Sequence, residues 1–434
     1  MSWLVAAFLA LQGYILSLVN TIVPDDYMDE IFHGPQAREY CRGAFTSWHP
    51  KITTFPGIYI LGTLYGWARW AVQALGSALP MDAACTTPFL RSLNVLLSAA
   101  CLVVLRNILT TYRHGGGGAG GGGGAGGGGA GVPVSPELQA LLLALYPLHW
   151  FFSFLYYTDV ASLLFLLMAQ LQGARRRYLL AALAGSMAVL CRQTNAVWAA
   201  FLLGEAVLAE VGMDWAHAQA PRRLQGDGNG GGPRRLPGGV AKGRGLVPEL
   251  LLAMSRIWRQ RTQLAARLWP LLLPPAGFAA FLIANRGSVV LGDKEAHRAV
   301  RHGAQLLYFG GWTALMLGPQ LVPGAMRLLY GAARRRPRAV LLTAAAAVAA
   351  TAAVGHVSTL VHPYLLADNR HYVFYLWRRL LARSPAAKYL LAPAYAAAWA
   401  LLLAGLLRRM TVPWVAGLVA CLVAQLLPAW LLEL

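Results

Sequence analysis

Residues 3–33 read WLVAAFLALQGYILSLVNTIVPDDYMDEIFH, and this stretch decides the fold class. No charge occurs from Trp3 to Val23. A run of about 20 apolar residues crosses a bilayer as a helix. This run lacks a basic start and a small-residue cleavage site, and further apolar runs follow, so it reads as a retained first span rather than a cleaved leader. Immediately after it come four acids, Asp25, Asp26, Asp29 and Glu30.

Outward from that stretch, apolar runs recur at residues 88–110, 137–152, 158–173, 178–191, 196–212, 266–284, 305–326, 339–360, 386–406 and 411–432. By the ~20-residue criterion this predicts an all-α polytopic membrane protein, one membrane domain over 1–434 with about 11–12 spans. The composition agrees: 57% of the 434 residues are hydrophobic and 12% are charged, against about 25% charged in a soluble domain.

A further run, residues 55–79, is ambiguous, because it holds Arg69 and follows Pro56-Gly57. Charge decides its reading. If it lies along the membrane surface, the runs Arg175–Arg177, Arg334–Arg338 and Arg408-Arg409 fall on one side. So does the loop 213–265, with nine Arg/Lys against three acids. Basic loops stay cytosolic. The loop 23–87 then lies in the lumen, and its Asp25–Lys51 part has five acids and three bases. The formal net charge of +20 is thereby explained by cytosolic loops, and nucleic acid is excluded as a partner. The Gly/Ala-rich linker 113–136 matches GxGxxG repeatedly, but no strand precedes it. The segment 213–265 reads as a basic, disordered loop.

Four polar clusters interrupt the apolar pattern, and this topology brings all four to the luminal edge. The first contains Asp29, Glu30, His33, Gln36 and Trp48. The second contains Tyr157, Asp159, Arg192, Gln193 and Asn195. The third contains Asp293 and His297, and the fourth Asp368, Asn369, Arg370, His371 and Tyr372. An ionisable side chain at the bilayer centre costs roughly 2.5–3.5 kcal/mol on insertion scales, so these groups belong at the interface or in a polar cavity. Paired carboxylates and cations there suit general-base chemistry on an anionic substrate. Plainer readings stand beside this one: an acidic helix start for Asp29-Glu30, an ion pair of Arg192 with an acid such as Asp159, interfacial histidines, and aromatic-belt roles for Trp48 and Tyr372.

No P-loop and no GxSxG elbow occur. No Asp-x-Asp clamp for a nucleotide-sugar metal and no histidine pair at ligand spacing occur either, so no metal and no cofactor are expected. A sugar donor would need another leaving group, and a lipid phosphate neutralised by Arg and His is the natural one. Of the five cysteines, Cys101, Cys191 and Cys421 lie in apolar runs as packing residues. Cys41 and Cys85 are able to pair only if both face an oxidising compartment.

The motifs resemble a known family. Tyr27-Met28-Asp29-Glu30-Ile31-Phe32-His33, Pro35-Gln36-Ala37 and Trp48, Pro50, Ile52-Thr53-Thr54, Pro56-Gly57 are similar to the first luminal loop of the dolichyl-phosphate-glucose-dependent alpha-1,2-glucosyltransferases of asparagine-linked glycan assembly. Phe154–Thr158, Arg192–Asn195 with Trp198, Gly292-Asp293-Lys294 with His297, and Leu365–Tyr372 with Phe374-Tyr375 and Trp377–Arg379 look like its later motifs, in the same order. The resemblance runs from Ser17 to Leu432 apart from the two low-complexity loops.

That resemblance implies a glycosyltransferase C helix bundle with a luminal first loop over the active site, in the endoplasmic reticulum membrane. It implies dolichyl-phosphate-glucose as donor and a diglucosylated dolichyl-diphosphate-linked oligosaccharide as acceptor, with membrane lipid as surroundings. Asp29 is the expected catalytic base, with Glu30 as the alternative. His33, Gln36, Trp48, Tyr157, Arg192, Gln193, Asn195, Asp293, His297, Asp368, Asn369, Arg370, His371 and Tyr372 are the expected substrate-binding residues. The family continues beyond the last span with a further luminal segment and helices, where this chain ends at Leu434; a C-terminally truncated chain is the expectation. A related lipid-linked mannosyltransferase, or a transporter or channel-associated protein, remains the alternative. A transporter would place its ionisable groups near the bilayer midplane and show internal repeats.

Overall fold

The computed structural model describes residues 2–74, 84–116, 135–213, 246–292, 294, 299–360, 372–408, 410–426 and 428–430. The candidate residues Asp293, His297, Asp368, Asn369, Arg370 and His371 lie outside these, as does the Gly/Ala linker from 117 to 134. The described residues are mostly helical and include two three-residue strands, Ala299–Arg301 and Pro428–Trp430, paired antiparallel. Among the described residues, five helices are long and apolar enough to cross a membrane, and three shorter apolar helices accompany them.

The chain divides into two compact units. The first comprises Met1–Ala206 and Thr262–Lys294, the second Val207–Arg261 and Glu295–Leu434. In the first unit the helices are α1 (Ser2–Ile22), α2 (Glu30–Cys41), α3 (Gly57–Ala74), α4 (Thr87–Gly116), α5 (Pro136–Ala144), α6 (Pro147–Phe152), α7 (Thr158–Ala174), α8 (Tyr178–Cys191) and α9 (Asn195–Glu210), which runs into the second unit. The second unit continues with α10 (Leu246–Arg259), and the chain returns to the first unit with α11 (Arg261–Leu268) and α12 (Leu273–Ala284). The rest of the second unit holds α13 (Ala304–Arg335), α14 (Pro337–Ser358), α15 (Tyr372–Leu376, closed by a π turn over Trp377–Leu381), α16 (Ala387–Leu390), α17 (Ala392–Leu407) and α18 (Val412–Leu426).

The helix ends follow local chemistry. Ser135 caps α5 by accepting the Leu138 N–H at 3.2 Å, with Pro136 at the first helical position, where a missing N–H costs nothing. Arg192 has extended backbone (φ −148°, ψ 123°) and separates α8 from α9. Tyr157 is also extended (φ −129°, ψ 160°) and opens α7. The motifs around Tyr157 and Arg192 therefore lie at helix ends, where side chains are released from the helix face. The stretch 213–265, read from sequence as disordered, contains α10, whose large apolar residues recur at helical spacing.

An aromatic and aliphatic core fastens α2 and the loop after it to the helices. Tyr40, Ile52, Ile58, Tyr59, Leu90, Leu93, Tyr156 and Cys191 pack together, with Trp48 and Phe32 at the edge. Gly57 starts α3 where a Cβ would sit 2.5 Å from the Leu190 carbonyl oxygen. Only glycine lets α3 approach the end of α8 so closely. Gly292 has the same function against the carbonyls of Pro50 and Ile52, where the Leu291 N–H also donates to the Thr53 carbonyl. A disulfide joins Cys41 at the end of α2 to Cys85 just before α4. Cys101, Cys191 and Cys421 are buried.

Candidate active site

Adjacent carboxylates at the start of α2 have opposite surroundings. Glu30 is fully buried. Its carboxylate accepts from Arg91 Nη2 at 2.6 Å and from Nε at 3.0 Å. It also accepts the Tyr156 N–H at 2.6 Å and the Tyr27 N–H at 3.0 Å. Arg91, also fully buried, uses its remaining donors on Asn20, the Val23 carbonyl and the Asp25 carbonyl. One guanidinium thus ties the end of α1, the acidic segment and α2 together. Every strong acceptor position on Glu30 is occupied.

Asp29, by contrast, is exposed. It is the N-cap residue of α2, but its side chain makes no cap bond. The backbone just before it is constrained: Met28 has φ +56°, a left-handed conformation uncommon for a non-glycine residue. The Asp29 N–H donates to the Tyr157 hydroxyl at 2.6 Å. Burial, then the charge of Asp29, pushes the Tyr157 phenol above its ordinary range. Burial is also the main cause for Tyr59, with the Asp29 charge a smaller contributor. Both phenols therefore stay neutral beside the carboxylate. The positive end of α2 points at Asp29, which favours an anion there.

His33, one turn into α2, shares a hydrogen bond with the Tyr59 hydroxyl at 2.6 Å and packs edge-on against Tyr157. Burial, and secondarily the charge of Arg192, lowers its pKa to about 4, so it is neutral at physiological pH. Arg192 is half-exposed and pairs with Asp159 at 2.6 Å. Asp29, His33, Tyr59, Tyr157, Asp159 and Arg192 thus form one cluster, open at Asp29 and Arg192.

Other residues expected to hold substrate are committed to the scaffold. Gln36 donates to the Ser47 carbonyl and accepts the His49 N–H, closing the loop after α2. The Trp48 indole donates to the Ile52 carbonyl and packs on Tyr59. Gln193 donates to the Thr53 carbonyl. Asn195 is buried and donates to Ser162 and the Ala188 carbonyl. Tyr372 begins α15 in the second unit.

Sequence reading passed over Arg91 and Asn94. Both are fully buried in α4, and Asn94 donates to the carbonyls of Leu155 and Tyr157. The available signal was an arginine near the start of an otherwise apolar span, which in a membrane segment implies a partner. Among the described residues, no group of three or more His, Cys, Asp or Glu side chains is arranged to hold a metal ion.

A bundle of membrane-crossing helices with an exposed carboxylate in its first polar loop, backed by neutral phenols and a nearby arginine, is the architecture of a membrane-embedded group-transfer enzyme. More narrowly, the chain belongs to the DIE2/ALG10 family, which it matches over residues 23–434. It is 33% identical to the Dol-P-Glc:Glc(2)Man(9)GlcNAc(2)-PP-Dol alpha-1,2-glucosyltransferase of Arabidopsis thaliana, over 99% of this chain and 87% of the relative. Proteins of the same description from Rattus norvegicus and Homo sapiens are 31% and 30% identical, each over 96% of this chain and 83% of the relative. No solved structure matches the chain.

Proposed function

We propose that this protein transfers glucose in alpha-1,2 linkage from dolichyl-phosphate-glucose to the diglucosylated dolichyl-diphosphate-linked oligosaccharide, at the luminal face of the endoplasmic reticulum membrane. Whole-chain family membership supports the activity. The observation that carries the chemistry is the division of labour at the start of α2, with Asp29 exposed and Glu30 consumed by Arg91. The luminal assignment rests on the Cys41–Cys85 disulfide beside the site, which needs an oxidising compartment, and on the basic loops being cytosolic.

The reaction is a single displacement. The Asp29 carboxylate takes the proton of the acceptor 2-hydroxyl as that oxygen attacks the anomeric carbon. The bond from that carbon to the phosphate oxygen breaks on the opposite face, and its electron pair leaves with dolichyl phosphate. A beta-linked donor becomes an alpha-linked product. General-base assistance contributes about 10²–10⁴-fold. The phosphate gains charge as it leaves, and Arg192 supplies a balancing donor. Burial makes His33 a weak base with a pKa of about 4, and Asp159 is paired with Arg192, which leaves the exposed Asp29 as the proton acceptor of the cluster. Glu30 acts as a structural counter-ion, and Gln36, Trp48, Gln193 and Asn195 hold the loop in shape.

The test uses membranes from cells lacking the endogenous enzyme, expressing this chain. Glucose should pass from dolichyl-phosphate-glucose to the diglucosylated acceptor, and the Asp29→Asn variant should lower transfer about 10²-fold or more. Transfer from dolichyl-phosphate-mannose instead, or no hexose transfer from either donor, would overturn the reading.

A further inference from the structure

The helix α10 presents two unlike faces. Val247, Leu251, Met254 and Trp258 are each between 59% and 69% exposed, and their spacing of four, three and four residues aligns them along one side of a helix. The opposite side is anchored within the second unit. Glu249 accepts the Val412 N–H at 3.0 Å, Arg256 donates to the Val211 carbonyl at 3.0 Å, and Ala253 is buried. Nearby, Thr411 donates to the Met213 carbonyl.

Those anchors locate the helix relative to a bilayer. Val211 and Met213 follow the end of α9, and Thr411-Val412 open α18; both helices are apolar. A helix lying against these two ends sits where hydrocarbon gives way to headgroups. Trp258, an interface-seeking residue, carries the Arg261 guanidinium over its ring at 4.7 Å. Arg259 and Arg261 are exposed at the same end. An apolar stripe with an exposed tryptophan, flanked by arginines, is the composition of an in-plane membrane helix that favours acidic lipid.

We infer that α10 lies in the plane of the cytosolic membrane surface, with Val247, Leu251, Met254 and Trp258 immersed below the headgroups and Arg259 and Arg261 engaging the phosphates of acidic phospholipid. This surface is independent of the transfer reaction. It gives the basic loop 213–265 a fixed point on the bilayer, anchored from the protein side by Glu249 and Arg256.

The full chain in lipid nanodiscs tests this with nitroxide labels at Leu251→Cys, Met254→Cys and Arg259→Cys. The native free cysteines are buried and the other two are joined, which directs the label to the introduced site. In phosphatidylcholine–phosphatidylserine discs, oxygen should relax the labels at 251 and 254 more than a water-soluble nickel chelate does, with the reverse at 259. Removing phosphatidylserine, or adding Arg261→Gln, should raise the shallow, chelate-accessible population at 254 roughly fivefold. Chelate dominance at 251 and 254 would place the stripe in water. Exclusion of both relaxants would mean that a protein surface, a partner or a second copy, covers it. Indifference to phosphatidylserine would remove the acidic-lipid component. Each of these results overturns the inference.

Discussion

Replacing Glu30 by Gln, or Arg91 by Met, should unfold the protein before it touches the chemistry. Both side chains are fully buried, and the pair is joined by Nη2 and Nε contacts while Arg91 also holds Asn20, Val23 and Asp25. Removing one partner of such a pair leaves an uncompensated buried charge, at about 3–5 kcal/mol. With 1.4 kcal/mol per factor of ten, the unfolded population rises about 10²–10⁴-fold. Removing both charges restores part of the loss, since a desolvated pair is replaceable by apolar packing. Asp29→Asn should behave in the opposite way. An exposed carboxylate contributes about 0–1 kcal/mol to folding through its surface interactions, but losing the base costs turnover about 10²-fold or more. The assay is two measurements on each purified variant: the midpoint of heat-induced loss of monodisperse protein in detergent, and single-turnover glucose transfer normalised to folded protein. Glu30→Gln and Arg91→Met should lower the midpoint, the double variant should regain part of it, and Asp29→Asn should keep the parental midpoint. If Glu30→Gln melts like the parent and abolishes turnover while Asp29→Asn stays active, the division of labour is reversed and the reasoning fails.

Three further outcomes follow from the same residues. His33 titrates at about 4 in the folded protein against an ordinary 6.5, so the unfolded chain binds the proton first, and stability should fall progressively as pH drops from about 6.5 toward about 4; His33→Phe should flatten that part of the pH–stability curve, and an unchanged curve would contradict a buried neutral His33. The Cys41–Cys85 link closes a separation of 44 residues, which in the chain-entropy treatment is about 4 kcal/mol; Cys41→Ser should lower the thermal midpoint, and an unfolded, unreduced parental sample should resist maleimide at both positions. Glycosylation acceptor tags inserted near residues 120 and 335 should stay unmodified while a tag near residue 45 is modified; modification at residue 120 would mean that α3 crosses the membrane.

Much of the architecture was legible because a bilayer imposes a one-dimensional rule. A span needs a continuous apolar run long enough to cross hydrocarbon, and arginine-rich loops remain on one side, so α1, α4 and α14 can be read almost directly from the chain. Helix α10 escaped because its apolar residues are spaced along one face instead of running continuously, within a loop dominated by arginine and glycine. The motifs around Asp29, Tyr157 and Arg192 were legible as polar interruptions, and they do converge. What composition alone left open was which side chain in each motif faces solvent.

That choice belongs to tertiary structure. Asp29 and Glu30 are neighbours of nearly equal chemistry, and nothing local separates them. Their fates diverge because α4 delivers a buried guanidinium from Arg91, 61 residues further on, and a desolvated cation must take its counter-charge from whichever carboxylate reaches it. The same holds for Gln36, Trp48, Gln193 and Asn195. Their residue types suit sugar recognition, yet the fold brings each beside a backbone carbonyl, and a buried polar group is stabilised by the partner that is present. Sequence by itself determined the membrane class, the family and the polar segments around Asp29, Tyr157 and Arg192, because these depend on composition and order along the chain. Only the folded structure decided which of these side chains are exposed to solvent and which hold the loop together, because desolvation and hydrogen-bond partnership depend on residues far apart in sequence.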